Sequence, residues 1–283
     1  MRLAAAGGLP TVMDVAMGAE TGPDRSRRRY QRTLFDGVAG LYQASRPGYP
    51  HHLVEFAVAT AGLDAGSTVL EVGCGTGQLT ERLAGFGFGL TVIDIGPSMI
   101  AAARHRLDGL AVSFQVSSFE DLAAADASVD LIISGAAFHW VDPEVRFAKS
   151  ARLLRPGGWL ALLGVDERYD DPFGAALAGM WAARDNTDGA WVTQAVDAEV
   201  IAGTGLFAEP VCRADTRRVT RPADAVIGVE NTRATSLSWP EDIRRAFTEE
   251  LRQYLGPQAE VHLTLRTTVT MAPVLRQASS PSR

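Results

Sequence analysis

The sequence contains little cysteine and no long apolar run. Its 283 residues include only Cys74 and Cys212, which argues against a disulfide framework and favours a reducing, cytoplasmic environment. No uncharged apolar stretch approaches the roughly 20 residues that a membrane-spanning helix needs. The apolar part of the N-terminus is interrupted by glycines, a proline and Asp14, unlike that of a signal peptide. We therefore predict a cytoplasmic protein without a membrane partner.

The sequence also lacks metal-ligand clusters and an excess of positive charge. None of the five histidines stands at zinc-site spacing from another histidine, a cysteine or a carboxylate, so no metal is predicted. The formal net charge of −6 argues against a nucleic-acid partner, because phosphate backbones are bound by clustered lysine and arginine. The one basic run, "DRSRRRYQR" over residues 24–32, is typical of a solvated helix face. We expect a small-molecule partner and a monomer or homodimer.

Short β-rich runs alternate with helical patterns through the first part of the chain. The predicted strands are "TVLEV", "LTVID", "VSFQV", "DLIISGA" and "WLALLGV", with helical periodicity in most of the segments between them. Such alternation predicts a parallel sheet covered by helices on both faces. A long period-2 strand near residues 259–271 would enter the sheet antiparallel. The predicted fold is therefore α/β, a doubly wound, seven-stranded Rossmann-like sheet whose last strand is antiparallel.

We divide the chain into five segments. Residues 1–23 are predicted to be a mobile leader, because small residues without periodicity bury too little surface to offset the entropy of ordering them. Residues 24–165 form an N-terminal arm and a cofactor-binding core. Residues 166–206 form a helical lid, or acceptor cap, and residues 207–276 complete the sheet. Residues 277–283 are a mobile tail.

A glycine-rich turn follows the first strand, and its spacing discriminates between cofactors. Its glycines are Gly73, Gly75 and Gly77, whereas the dinucleotide fingerprint would require a glycine where Gln78 stands. Glu71, just before the turn, would repel a pyrophosphate but hold an ammonium group. Asp94, at the end of the next strand, can accept both hydroxyls of a ribose. Together these features describe S-adenosylmethionine, an adenosine that carries an amino-acid tail and a sulfonium.

Five motifs resemble those of the class I S-adenosylmethionine-dependent methyltransferases, of the methyltransferase type 11-like kind. They are "VLEVGCGTG", "VIDIGPSM", "FEDL", "VDLIISGAAFHWVD" and "ARLLRPGGWLAL", in the family's order and spacing over residues about 35–165. The preceding "FDGVAGLYQASRPGYP" is similar to the N-terminal segment of trans-aconitate methyltransferase-like proteins. The resemblance implies the fold, the cofactor and an enzyme that transfers a methyl group.

The resemblance also implies roles for individual residues. The methionine part of the cofactor would lie on Glu71 and on the turn that contains Gly73, Cys74, Gly75 and Gly77. Asp94 would bind the ribose and Ile95 would flank the adenine, while Arg46 would pair with the cofactor carboxylate and Tyr42 would lie near the sulfonium. The family usually offers the adenine amino group an acidic side chain after the third strand. This chain has Ser118, which would accept a hydrogen bond, and Phe119, whose backbone N–H would donate one.

The acceptor side carries weaker signals. A sulfonium is already an activated leaving group, so a general base is needed only for some acceptors. His139, between Phe138 and Trp140 after the fourth strand, is the candidate base, and packing is the alternative role of this segment. The candidates for lining the acceptor pocket are Phe138, Trp140, Tyr169, Trp181 and Trp191. In a lid segment, aromatic residues equally often form the local core.

Several functions remain compatible with these patterns. The leading hypothesis is methyl transfer to oxygen or carbon of a small organic molecule, with secondary metabolism as one candidate context. The alternative is a protein that binds S-adenosylmethionine without transferring its methyl group, as a regulatory module or in a charge-assisted cyclisation. An NAD(P)-dependent oxidoreductase is disfavoured by Gln78 and Glu71, and nucleic-acid methylation is disfavoured by the acidic net charge.

Overall fold

A seven-stranded sheet forms the centre of the protein. The structure is a computed structural model that describes residues 22–184, 198–256 and 259–275. The strands are β1 (Thr68–Val72), β2 (Gly89–Asp94), β3 (Val112–Val116), β4 (Val129–Gly135), β5 (Leu154–Tyr169), β6 (Val211–Pro222) and β7 (Glu260–Pro273). Their order is β3-β2-β1-β4-β5-β7-β6, and β7 runs antiparallel to both of its neighbours. The predicted doubly wound α/β sheet with an antiparallel last strand is confirmed.

Helices connect the strands and cover the sheet. An N-terminal arm consists of α1 (Gly22–Leu34), a 3₁₀ turn (Phe35–Val38) and α2 (Ala39–Ser45). The core helices are α3 (His51–Thr60), α4 (Thr80–Ala84), α5 (Pro97–Arg106) and α6 (Pro143–Leu153), with a second 3₁₀ turn (Phe138–Trp140) before α6. The later helices are α7 (Phe173–Ala182), α8 (Ala198–Gly203), α9 (Ala223–Asn231), α10 (Ala234–Ser238) and α11 (Glu241–Leu255).

The central strands β1 and β4 carry apolar residues on both faces because both faces of the sheet are buried there. In β1, Val69 packs into one apolar cluster and Leu70 into the other, on the opposite side of the sheet. The first cluster includes Leu53 of α3, and the second includes Phe147 of α6. Near-continuous apolar strands of this kind are expected where helices cover both faces of a parallel sheet.

The strand order reverses between β1 and β4. β2 and β3 follow β1 outward on one side, and β4 and β5 extend on the other. In open α/β sheets of this kind, ligands bind in the crevice at the carboxyl ends of the strands where the order reverses. The glycine turn after β1 and the segment after β4 meet at this point.

The structure differs from the predicted segments at several places. We assigned residues 166–169 to the lid, but β5 continues to Tyr169, so these residues extend the sheet instead. They pair antiparallel with residues 263–266 of β7. Gly22 and Pro23, assigned to the leader, begin α1. The rest of the leader, the tail and residues 185–197 of the lid lie outside the described residues. Among the described residues, no helix has both the length and the apolar character to cross a membrane.

Candidate functional site

A solvent-connected cavity lies over the carboxyl ends of β1, β2 and β4. Its empty volume, which includes open solvent at its mouth, is about 940 Å³. Its walls come from the glycine turn, the ends of the strands, the loop after β3, the segment after β4 and the N-terminal arm. Most of the predicted cofactor residues line it: Tyr42, Arg46, Glu71, Gly73, Cys74, Gly75, Asp94, Ile95 and Phe119.

The glycine turn adopts a backbone conformation that favours glycine. Gly73, Gly75 and Gly77 have φ values of +72°, +54° and +88°, in the left-handed region. A side chain on Gly73 would also collide with the methyl group of Ala137 in the segment after β4. The turn is held by two N–H groups, those of Gly73 and Cys74, which donate to the Ile93 carbonyl at 2.9 and 3.0 Å. The cavity floor is therefore backbone that a ligand can approach closely.

Asp94 joins this turn to the end of β2. Its Oδ2 accepts from the Gly75 N–H at 2.9 Å, and its Oδ1 accepts from the Gly96 N–H at 2.9 Å. Burial raises the pKa of the Asp94 carboxyl, although these two hydrogen bonds oppose the shift. Because each carboxylate oxygen has two lone pairs, both oxygens retain capacity for the hydroxyls of a ligand.

Glu71 is the most deeply buried carboxyl group of the cavity. It is 1% exposed, and its Oε2 accepts from the Thr80 hydroxyl at 2.7 Å. Burial raises the pKa of Glu71 to about 8; the hydrogen bond from Thr80 opposes the shift and the nearby Asp94 adds to it. A cation bound beside Glu71 would stabilise its ionised form. The site is thus built to match a positive group on a ligand.

Arg46 and Tyr42 enter the cavity from the arm. The Arg46 guanidinium lies over the Tyr42 ring, 5.2 Å from its centroid. Its Nε donates to the Thr232 hydroxyl at 3.0 Å, and Nη2 donates to the Thr232 carbonyl at 2.7 Å. Thr232, which directly follows α9, therefore orients Arg46 at the cavity wall. Cys74 is buried, and burial raises the pKa of its thiol, which disfavours the nucleophilic thiolate.

Several predicted residues do not line the cavity. The Ser118 hydroxyl donates to the Asp121 carboxylate at 2.6 Å and accepts from the Asp121 N–H at 3.0 Å, so it is used within its own loop. Gly77 packs towards Leu107, which directly follows α5. Phe138 is buried between Phe119 and Phe147. These three residues therefore lie outside the lining of the cavity.

The structure brings Trp140 to the cavity but not His139. The His139 ring packs beside Trp140 at 4.7 Å between centroids, and His139 is not among the lining residues. This placement fits the packing role that we considered for the segment. The role of His139 as a general base stays a prediction that the geometry does not support.

The aromatic residues of the lid segment lie in a separate core. The Tyr169 hydroxyl donates to Glu230 Oε1 at 3.1 Å, and the Trp181 indole N–H donates to Glu230 Oε2 at 3.0 Å. Both side chains are buried with residues of α9 and α11, and neither lines the cavity. Trp191 lies outside the described residues. Of the two roles that the sequence left open, the structure places Tyr169 and Trp181 in the local core.

Sequence reasoning missed an aromatic wall and a buried tyrosine. Phe35 meets the rings of Tyr42 and Trp140 edge-on, at 6.0 and 5.7 Å, on one side of the cavity. Tyr49 also lines the cavity, is 9% exposed and has its ring against Gly135 at the end of β4. Burial raises the pKa of the Tyr49 hydroxyl, so it keeps its proton. The motif "RPGYP" was the available signal for Tyr49.

The basic run of the arm is attached to the core. Arg32, with a side chain 17% exposed, pairs with Glu120 at 2.7 Å, and Arg29 pairs with Asp142 at 3.5 Å. Asp36 accepts hydrogen bonds from the Ser98 N–H at 2.7 Å and the Ser98 hydroxyl at 3.1 Å, at the start of α5. The interpretation of residues 24–32 as a solvated face is therefore wrong for Arg32, because an acidic partner far along the chain buries it.

Comparisons with known proteins agree with this geometry. A family model described as a methyltransferase domain matches residues 70–162. An uncharacterized methyltransferase of Mycobacterium tuberculosis is 27% identical over 81% of this chain and 88% of its own length. The ubiquinone biosynthesis O-methyltransferase of Xanthomonas axonopodis is 38% identical over 53% of this chain and 67% of its own length.

A solved structure extends the agreement beyond the matched domain. The protein from Anaeromyxobacter dehalogenans, described as a type II methyltransferase, superposes with a TM-score of 0.61 at 25% identity. The match covers 82% of this chain and 99% of that one. The fold, the glycine turn with its two carboxylates and these relatives lead to one conclusion: the chain belongs to the class I S-adenosylmethionine-dependent methyltransferases.

Proposed function

We propose that this enzyme methylates a small organic molecule, at oxygen in preference to carbon. The observation that carries the cofactor half of the proposal is that the buried Glu71 and the half-buried Asp94 line one cavity with the glycine turn between them. Glu71 would hold the ammonium group of S-adenosylmethionine, and Asp94 would hold the ribose hydroxyls. Ile95, Met99 and Phe119 supply apolar surface for the adenine ring.

The residues around the cavity would position the reactants and exclude water. When bound, S-adenosylmethionine supplies a methyl group on a positively charged sulfur. Phe35, Tyr42 and Trp140 cover one side of the cavity with apolar ring surface, which favours a flat or apolar acceptor. Holding two reactants in line in a site without bulk water lowers the barrier mainly through orientation.

The acceptor class follows from the titratable groups that face the cavity. His139 is not among the lining residues, and the Tyr49 hydroxyl keeps its proton because it is buried. Tyr49 can therefore donate a hydrogen bond to an acceptor, but it is a poor base at neutral pH. We infer an acceptor oxygen that is already ionised, as in a carboxylate or an acidic phenol, because it needs no strong base.

The names of two relatives support oxygen as the acceptor atom. One is the ubiquinone biosynthesis O-methyltransferase already described. The other is the malonyl-[acyl-carrier protein] O-methyltransferase of Hahella chejuensis, which is 42% identical over 32% of this chain and 34% of its own length. That second likeness is confined to about a third of each protein.

A labelling experiment tests this proposal. The purified protein is incubated with methyl-labelled S-adenosylmethionine and panels of aromatic carboxylic acids, acidic phenols and unactivated alcohols. We expect label in a carboxylate or phenol product and none with Asp94→Ala, which removes the ribose contact. Binding of the cofactor without label transfer to any panel member or to a cell extract would instead support the non-transferring alternative.

A further inference from the structure

The strand β6 forms one edge of the sheet and is long for an edge strand. It spans Val211–Pro222, whereas β3, at the opposite edge, spans only Val112–Val116. Within residues 22–184, 198–256 and 259–275, β6 pairs with β7 alone, through consecutive residue pairs without a register shift. Its other side therefore presents a row of backbone N–H and C=O groups to which a further strand can bind.

β6 lacks two features that commonly prevent an edge strand from pairing. Its prolines stand only at the two ends, at Pro210 and Pro222, where they bracket the strand. The pairing with β7 contains no bulge that would twist the edge away from a partner. Residues 211–221 therefore keep all the backbone donors and acceptors of a regular strand.

The side chains on one face of β6 are uncovered. They belong to alternate residues of the strand, and all of them are exposed: Cys212, Ala214, Thr216, Arg218 and Thr220. On the other face, His52 of α3 lies 3.4 Å from the Asp215 carboxylate. Because the first face is exposed along its whole length, a second strand can reach this edge without displacing a helix from that face.

Four arginines lie in β6, and three of them have partners within their own chain. These partners are Glu167 for Arg221, Asp170 for Arg218 and the ring of Phe56 for Arg213. The fourth, Arg217, has a side chain that is 47% exposed, and its Nε lies 3.8 Å from Asp215 Oδ2, near the limit of an ion pair. The charges of Asp215 and Arg217 are therefore the ones that decide how a second strand pairs with β6.

These two charges lie symmetrically about Thr216, which is the midpoint of residues 211–221. If two antiparallel copies of β6 pair with Thr216 opposite its twin, residue 215 of each copy faces residue 217 of the other. Asp215 then meets Arg217 twice, once on each side of the two-fold axis. Opposite charges and paired threonines in directly facing positions both stabilise an antiparallel pair. β6 is thus complementary to a second copy of itself.

The neighbouring registers bring like charges together. Centring the pair on Asp215 places Asp215 opposite itself and Arg213 opposite Arg217, and centring it on Arg217 places Arg217 opposite itself and Arg213 opposite Arg221. Registers centred on residue 214 or 218 pair only residues 211–217 or 215–221. The register centred on Thr216 pairs every residue between the two prolines and places no like charges directly opposite each other.

We propose that two copies of this chain form a homodimer through β6, whose strands pair antiparallel about Thr216 and join the two sheets into one. Pairing over residues 211–221 supplies roughly ten backbone hydrogen bonds, which is a typical number for a specific protein interface. The interface goes beyond the proposed methyl transfer and does not depend on it, because no residue of β6 lines the cavity.

Sedimentation velocity over a concentration series tests the dimer and its register. We expect the wild-type protein to form a reversible dimer. Asp215→Arg and Arg217→Asp each place like charges opposite each other at two positions, so each should raise the Kd of the dimer by about tenfold or more. The double variant Asp215→Arg/Arg217→Asp restores opposite charges, and its Kd should return to within about threefold of the wild-type value.

A matched control separates the register from the overall charge. Arg245→Asp makes the same charge change as Arg217→Asp at an exposed position of α11, and it should keep the wild-type Kd. Thermal unfolding by circular dichroism checks that each variant is folded.

A disulfide cross-link tests the register without altering these charges. In a Cys212→Ser background, Thr216→Cys places two cysteines opposite each other, within about 5 Å between Cβ atoms, so mild oxidation should join the two copies. Ala214→Cys, on the same exposed face and in the same background, is the control. Its twin lies four residues further along the strand, at roughly 13 Å, so it should not cross-link.

Two results would overturn the proposal. One is a wild-type protein that stays monomeric throughout the concentration series. The other is a dimer whose Kd is the same in both single charge variants and whose cross-linking is equal at positions 214 and 216, because another surface would then join the copies.

Discussion

The Tyr49 ring packs against Gly135 so closely that a Cβ on Gly135 would lie 2.5 Å from the Tyr49 hydroxyl oxygen. Gly135 ends β4, and Tyr49 immediately precedes the Pro50 that caps α3. The contact therefore joins the "RPGYP" segment to the strand end at the cavity floor. Both residues line the cavity, so a change in one alters the space that the other offers to a ligand.

Substitution of Gly135 by alanine should displace Tyr49. A methyl group within this contact overpacks a buried site, and we expect a loss of about 1–3 kcal/mol in the free energy of unfolding. Affinity for S-adenosylhomocysteine should fall as well, because the displaced ring enters the cavity. Urea denaturation and calorimetric titration measure the two effects. Gly85→Ala is the control, since no atom lies within 4 Å of its added Cβ; equal behaviour of the two variants would contradict the prediction.

Cofactor binding should release a proton from Glu71. Its carboxyl, with a pKa of about 8, is mostly protonated at neutral pH, and a bound ammonium favours the ionised form. Affinity for S-adenosylhomocysteine should therefore rise from pH 6 towards pH 8, by up to about tenfold per unit. Titrations at pH 7 in buffers of different ionisation enthalpy should show close to one proton released by the wild-type protein. Glu71→Gln should release much less, and equal release by both would disprove this role of Glu71.

The same group should make the ligand-free protein less stable as the pH rises. The folded-state pKa of Glu71 lies above the ordinary glutamate value of about 4.3, so its contribution is fully present below about pH 4.3 and is lost as the pH rises through about 8. The loss is on the order of a few kcal/mol. Urea denaturation at pH 5.5 and 8.5 should show a smaller difference for Glu71→Gln than for the wild-type protein. An identical pH difference in the two proteins would refute the prediction.

Removal of the Asp36 carboxylate should loosen the arm. Asp36 accepts from the N–H groups of Ser98 and Met99 at 2.7 and 3.2 Å, as a helix cap supplied from another part of the chain. Asp36→Ala should cost about 0.5–2 kcal/mol of stability. We expect faster amide exchange in residues 26–45 and at the start of α5, with β1 and β4 unchanged.

A matched variant separates this effect from a general loss of charge. Glu55→Ala removes an exposed glutamate that pairs with His51 on α3, away from the arm. Its exchange pattern in the arm should equal that of the wild-type protein. Unchanged exchange in Asp36→Ala would show that the arm is held by its other contacts, such as the pair between Arg32 and Glu120.

The sequence predicted those features whose signal is local. β1 with its glycine turn, and Asp94 at the end of β2, were predictable because an apolar run, a glycine spacing and an acidic residue follow each other directly in the chain. The antiparallel β7 was predictable because its alternation is long and regular.

The features that sequence reasoning missed depend on pairings between distant residues. Glu120 accepts a hydrogen bond from Arg32, which lies 88 positions away in the chain. The Tyr49 ring packs against Gly135, which is also distant in the chain. The extension of β5 to Tyr169 requires β7, which lies far along the chain. The composition of the lid segment could not show whether Trp181 lines the acceptor pocket or packs in the local core. Its hydrogen bond to Glu230 shows that it packs in the core. α9 was missed because its short apolar pattern gives little periodicity.

The hydrogen bonds between Arg46 and Thr232 connect the cavity to a part of the chain beyond the matched domain of residues 70–162. Thr232 follows α9, whose Glu230 is fully buried and hydrogen-bonded to Arg233 at 2.8 Å. A recombinant fragment limited to the matched domain would retain the glycine turn and lose both Arg46 and its anchor. The smallest portion of this chain worth expressing for binding studies therefore runs from the arm through α9 to β7, and chimaeras with relatives should be joined outside those limits.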